Sequence, residues 1–236
     1  MNVNKPIAVF FGFSLLLGSC AQKHEKKEAA SAYTEPAKAI AEGKTLLQNG
    51  DLILRTDDDV VSASLRNFSK TDKSYSHCGI VYQEDSAWYV YHLMAGDENP
   101  SDLMERERFE SFVDPYRKSR YGIFRYQLSA DEQARFQQQV YTYMAGQMHF
   151  DKQFDLKSDD KLYCAEMVYK GLMLATNGRV TIPVTVRNNF RPDRIKQDAA
   201  EIKRFEFIAL DNLYLNPFCK EIKRYRYPNK SLEENK

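Results

Sequence analysis

Two short runs set the class of fold open to this chain. His77 to Gln83 and Trp88 to Met94 are rich in β-branched and aromatic residues, and Glu84-Asp85-Ser86 between them has turn chemistry, so together they read as a β-hairpin. Asp51 to Arg55, Tyr121 to Gln127 and Phe205 to Leu210 are further strand-like runs, and Val180 to Val186 reads as extended. Helical spacing predicts helices over Ala37 to Gln48, Val60 to Phe68, Glu105 to Phe112, Ser129 to Met148, Asp160 to Ala175 and Asp193 to Lys203. Ser129 with Glu132 three residues on is a capping-box start, while Asn49-Gly50 and Thr176-Asn177-Gly178 are stop signals. Helices interleaved with a meandering set of strands argue for an α+β fold, a small antiparallel sheet or barrel packed against helices, rather than a doubly wound sheet. The chain has no Gly-rich phosphate loop and no internal repeat.

The first 20 residues have a separate character. Lys5 precedes a short apolar run from Ile7 to Leu17, too short and too closely followed by charge for a membrane span. Residues 1–20 are therefore expected to be a signal peptide. Its end, Leu17-Gly18-Ser19-Cys20, resembles the lipobox of bacterial lipoproteins, in which the cysteine becomes lipidated. That resemblance implies export, and a membrane partner held through a lipid anchor at Cys20 in the cell envelope. Residues 21–40, polar and charged, are expected to be a flexible tether, 41–228 the folded domain and 229–236 a frayed terminus.

Composition excludes some partners. With 34 Lys and Arg against 33 Asp and Glu, the formal net charge of +1 gives no reason to expect nucleic acid. Hydrophobic residues make up 43 % of the chain, which supports a core for a sizeable domain. The four cysteines, at 20, 78, 164 and 219, form no CxxC pair, so neither a zinc ribbon nor a thioredoxin-type site is indicated. Cys78 and Cys219 are either two buried thiols or one disulfide.

One set of residues could carry chemistry. Cys164 falls in the first turn of an apolar-faced helix, where unpaired N–H groups and the helix dipole favour a thiolate. The Cys164 backbone N–H could also hold an oxyanion. A nucleophile needs a base, and the hairpin brings His77 and His92 together, with residue 77 expected opposite about residue 93. One imidazole would take the thiol proton while the other orients it. A Cys/His/His set could bind zinc, but no ligand-type spacing supports it, and neither metal nor organic cofactor is expected. Glu166 reads as an anchor for its helix.

These residues also carry a family resemblance. Gly50-Asp51-Leu52-Ile53, Ser76-His77-Cys78-Gly79-Ile80-Val81 and Tyr163-Cys164-Ala165-Glu166-Met167-Val168-Tyr169 resemble the circularly permuted papain-like enzymes of the NlpC superfamily, the YiiX-like group above all. The histidine strand precedes the cysteine helix, the reverse of papain. Asp151, Phe154 and Asp155 before the cysteine, and Arg191-Pro192-Asp193 after it, fit the same pattern, which spans roughly residues 45–210. The resemblance implies Cys164 as nucleophile, His77 as base and His92 as third polar residue, with Tyr163 lining the cleft. YiiX-like proteins often carry Glu at the third place; His there is similar to the lecithin–retinol acyltransferase branch. The implied activity is a thiol hydrolase of amide or ester bonds, acting on an N-acyl or lipid amide or on a cell-wall peptide. An acyltransferase of the lecithin–retinol type and a non-catalytic envelope binding protein are the alternatives.

Overall fold

The structure is a computed structural model and describes residues 34–57, 60–190 and 202–228. The expected leader, Cys20, most of the tether, the segment 191–201 and the terminus 229–236 lie outside the described residues. In chain order the elements are α1 (Pro36–Leu46), β1 (Asp51–Asp57), α2 (Val60–Arg66), β2 (His77–Glu84), β3 (Ala87–His92), β4 (Glu105–Arg108), α3 (Phe109–Phe112) and β5 (Lys118–Tyr126). There follow α4 (Ala130–Ala145), β6 (His149–Phe150), β7 (Lys161–Leu162), α5 (Cys164–Ala175), β8 (Thr185–Phe190), β9 (Ile202–Phe207), α6 (Leu210–Tyr214) and β10 (Cys219–Arg226). The α1 helix starts at Pro36, so the last residues expected in the tether belong to its first turns.

Six strands make one sheet in the order β10-β5-β1-β2-β3-β4, every neighbouring pair antiparallel. The edges β10 and β4 do not pair with each other, so the expected α+β class holds with an open sheet and no closed barrel. Both faces of the sheet are covered. Leu52, Leu54, Ile80 and Tyr82 pack with Phe136 and Val140 of α4 and Val168 and Leu172 of α5. On the other face Ile53, Val81 and Ile123 pack with Ala39 of α1 and Phe109 and Phe112 of α3. Two-sided burial is why Leu52-Ile53-Leu54 is apolar without alternation. Each such side chain contributes about 1.5–3 kcal/mol by leaving water.

The β2–β3 hairpin closes through Asp85 and Ser86, both at positive φ (47° and 65°), as a two-residue primed turn requires. Its ladder pairs Ile80 with Tyr91, and one more step places residue 79 opposite 92. This register differs by one from the sequence expectation, and a one-residue slip exchanges faces. The expected pairing would have put His77 and His92 on opposite faces; the observed one puts them on the same face. Gly79 makes that approach possible: a Cβ there would stand 2.8 Å from the Tyr91 carbonyl oxygen and 3.0 Å from the His92 Cβ.

Three expectations about elements are corrected. Residues 105–112 are not one helix: Glu105–Arg108 pairs with β3, and only Phe109–Phe112 is helical. The Glu-Arg-Glu-Arg run alternates at the strand period, so Glu105 and Glu107 share the face of His92 while Arg106 stacks over Tyr89 on the other. The nucleophile helix begins at Cys164, not Asp160, because Lys161-Leu162 is extended and pairs with His149-Phe150. The strand expected over 205–210 spans Ile202–Phe207, followed by α6.

Candidate active site

Cys164 is the first residue of α5, and the first backbone bond of that helix runs from Met167 N–H to the Tyr163 carbonyl oxygen. The N–H groups of Cys164, Ala165 and Glu166 therefore have no partner within the helix. Glu166, fully buried, accepts a hydrogen bond from Tyr163 N–H (3.2 Å) and pairs with Lys170 (2.9 Å). Burial pushes its carboxyl up to about 7, even against the lowering effect of Lys170. It anchors the start of α5, the role read from sequence.

The half-buried Cys164 thiol meets the start of β2. Its pKa is held well below the ordinary thiol value, first by a hydrogen bond from the Cys78 thiol, which outweighs burial, then by the charge of His77, its hydrogen bond, and the Cys78 backbone N–H. Cys78, wholly buried, is driven the other way by burial and by Cys164, and so stays a protonated donor. Cys78 was not foreseen as a site residue. Cys78, Cys164 and Cys219 are all free thiols, and the partner of Cys78 is Cys164, so the Cys78–Cys219 disulfide is not formed.

His77 is 7 % exposed and opens β2. The chain leading to it is tied down: Ser76 N–H donates to the Arg55 carbonyl oxygen (2.9 Å), the Ser76 hydroxyl accepts from Asp57 N–H (3.1 Å), and the Thr56 hydroxyl donates to the Ser74 carbonyl oxygen. One turn earlier, the buried Asp211 carboxylate accepts from the N–H groups of Lys70, Thr71 and Asp72 at 2.9, 2.7 and 3.3 Å. The His77 Nε2 stands 3.0 Å from Nδ1 of His92, and the two rings meet edge to face. With Nε2 so engaged, Nδ1 is the ring nitrogen left to the Cys164 sulfur.

His92 has no exposed surface, and Phe112 packs against both imidazoles. Burial lowers its pKa to about 3, the charges of His77 and Arg55 act in the same direction, and Glu107 opposes them only in part. His92 is thus neutral at ordinary pH. The order Cys164, His77, His92 brings together the three side chains expected from sequence. Tyr163, expected to line the cleft, instead lies in the core: it is 2 % exposed, packs on Phe154, and its hydroxyl accepts from Ile208 N–H at 2.7 Å. The residues that pin Tyr163 come from a distant segment, which sequence spacing does not reveal.

Beyond His92 lies a polar cavity of about 220 Å³, lined by Arg55, Met94, Glu98, Glu105, Arg106, Glu107 and Lys118. Neither Cys164 nor His77 lines it. Among the described residues no group of three or more His, Cys, Asp or Glu side chains is arranged to hold a metal ion.

Residues 46–230 match a family described as permuted papain-like amidase enzymes, YaeF/YiiX, C92 family. Among solved structures the chain is similar to one titled metalloprotein yiiX from Escherichia coli O157:H7, with 17 % identity and a TM-score of 0.58 over 77 % of this chain and 98 % of that one. No curated protein matches.

Proposed function

This chain belongs to the permuted papain-like amidase family and is a hydrolase of amide bonds, and we propose that it works through an acyl-enzyme on Cys164. Nδ1 of His77 takes the thiol proton, and the thiolate attacks the substrate carbonyl carbon. The Cys164 N–H, at the open end of α5, donates to the oxyanion. His77 then gives its proton to the departing amine and, in the second half, deprotonates the water that releases the acid. His92 holds the His77 ring through Nε2.

The observation that carries this reading is the low-lying Cys164 thiol at a helix start, beside an imidazole whose far nitrogen is held at 3.0 Å by a second imidazole. The substrate is an N-acyl or lipid amide in preference to a cell-wall peptide, and the enzyme is held at the cell envelope through lipidated Cys20. The permuted order and the third-position histidine, similar to the lipid-acting acyltransferase branch, support the acyl chain; the lipobox-like LGSC supports the anchor.

Intact-mass spectrometry of the protein mixed with an N-acyl amide, or with a muropeptide, tests this. The expected result is an acyl adduct on Cys164 with the N-acyl amide, absent in Cys164→Ser, and free fatty acid as product. Adducts with the muropeptide alone would reverse the substrate assignment, and no adduct or turnover with either would overturn the proposal. Fractionation of cells making Cys20→Ala would test the anchor: the variant should move from the membrane fraction to the soluble one.

A further inference from the structure

The imidazole pair leaves a question of proton placement that β4 answers. A hydrogen bond between His77 Nε2 and His92 Nδ1 can run in either direction. If His92 carries its proton on Nδ1 it donates to His77, and a neutral His77 must then be protonated on Nδ1, the nitrogen facing Cys164. Such a ring cannot accept the thiol proton. An imidazolium at His77, with N–H at both nitrogens, would meet a second donor. The site works only if His92 is bare at Nδ1 and protonated at Nε2.

The His92 Nε2 is fully buried, and its nearest acceptor is Glu107 Oε2 at 3.3 Å; Glu105 Oε2 follows at 3.8 Å. The Nε2–Glu107 contact is close but falls short of a well-aligned hydrogen bond. The two carboxylates are not equivalent. Burial raises the Glu107 carboxyl, but His92, Arg55 and Lys118 outweigh it, and Glu107 is held below the usual carboxylate range. Burial, reinforced by Glu107 itself, raises Glu105. Glu107 is therefore the more readily ionised of the pair and the nearer to Nε2, steadied by Arg55 (3.5 Å), which is itself 2 % exposed, stacked on Phe112 and bonded to the Phe112 carbonyl oxygen (3.1 Å).

From this geometry, and resting on the Cys164–His77 reading above, we infer that Glu107 is a positioning residue: it selects the Nε2–H tautomer of His92, and through it leaves Nδ1 of His77 free to take the Cys164 proton. The carboxylate thus stands one imidazole further from the nucleophile than a carboxylate in the third place would. Glu107 touches neither substrate nor thiol.

Nitrogen-15 NMR of the histidine-labelled protein reads the tautomer directly, because protonated and bare ring nitrogens differ in shift. In the wild type His92 should be protonated at Nε2 and bare at Nδ1. In Glu107→Gln the Nδ1–H form should gain population, and iodoacetamide labelling of Cys164 at neutral pH should slow about tenfold or more, as loss of an orienting partner does in other sites. Glu107→Asp should restore part of the rate, and Glu105→Gln should leave tautomer and rate near wild type. The charged and titratable groups around His92 are His77 on β2, Arg55 and Asp57 on β1, Glu105 and Glu107 on β4, Lys118 on β5 and Glu98 in the loop before β4; the labelling profile is therefore compared between variants at each pH.

A wild-type His92 protonated at Nδ1 overturns the inference without any variant. So does Glu107→Gln with His92 unchanged in tautomer. If the tautomer responds as stated but Cys164 is inert in every variant, the positioning role stands and the amidase reading fails.

Discussion

Two buried groups near the site titrate in opposite directions, and the difference can be measured as stability. His92 has its pKa lowered from 6.5 to about 3 by burial, so between those values the unfolded chain binds a proton that the folded one refuses. Its contribution makes stability rise with pH across that window. Glu166 is raised from 4.5 to about 7, again by burial, so between those values the folded chain holds a proton that the unfolded one has lost. Its contribution makes stability fall as pH rises. Each full proton is worth at most about 1.4 kcal/mol per pH unit, so each group contributes about 1–2 kcal/mol from about pH 5 to about pH 6.5. The perturbations are His92→Gln and Glu166→Gln; the latter keeps an acceptor for Tyr163 N–H. The assay is denaturant unfolding at several pH values, read as the change of stability with pH rather than its level. Glu166→Gln should make the slope more positive than wild type by up to about 1.4 kcal/mol per unit, and His92→Gln more negative by a similar amount. Carboxyls shared by all three proteins drop out of the difference. Equal slopes in the three proteins, or a sign reversed in either variant, would mean that burial does not shift His92 down and Glu166 up on folding.

Gly79→Ala should push the β3 backbone and His92 outward, since its Cβ would lie within 3.0 Å of both, and it should cost about 1–3 kcal/mol by unfolding while slowing Cys164 alkylation. Asp211→Ala leaves three backbone donors of the 70–72 loop without their acceptor; thermal unfolding should show a loss of about 2–3 kcal/mol, with a faster backbone amide exchange in that loop. Cys78→Ala removes the leading interaction that holds the Cys164 thiol down, so ultraviolet thiolate titration should show its pKa raised while remaining below that of a His77→Ala, Cys78→Ala double variant.

Local signals carried much of this fold into the sequence. The capping box at Ser129 and Glu132 is formed in full, with Glu132 further held by Arg179, and α4 starts at Ala130 as the motif requires. The hairpin was legible from its turn residues, because Asp85 and Ser86 tolerate the positive φ that a two-residue turn imposes. Its register was not, since a difference of one residue leaves the hydrophobic pattern of a sheet covered on both faces unchanged. The Cys164 and His77 pair could be read from chain order and helix position. Glu107 and Cys78 could not be assigned a role, because each depends on a partner across the sheet or beneath the helix. The alternation Glu105-Arg106-Glu107-Arg108 was the signal that could have revealed β4. The edge strand β10 was missed for a related reason: Lys220, Glu221, Lys223 and Arg224 guard an exposed sheet edge, and such charge masks the strand pattern.

The proposed chemistry depends on Cys164 being a thiol activated by His77. Iodoacetamide labelling of the purified protein from about pH 5 to about pH 9, with the modified cysteine located by mass spectrometry, tests it most directly, beside Cys164→Ala and His77→Ala. Cys164 should label rapidly at and below neutral pH, and more slowly after loss of His77, while buried Cys78 stays unmodified. Labelling of Cys164 no faster than that of a free thiol, with His77→Ala making no difference, would contradict it.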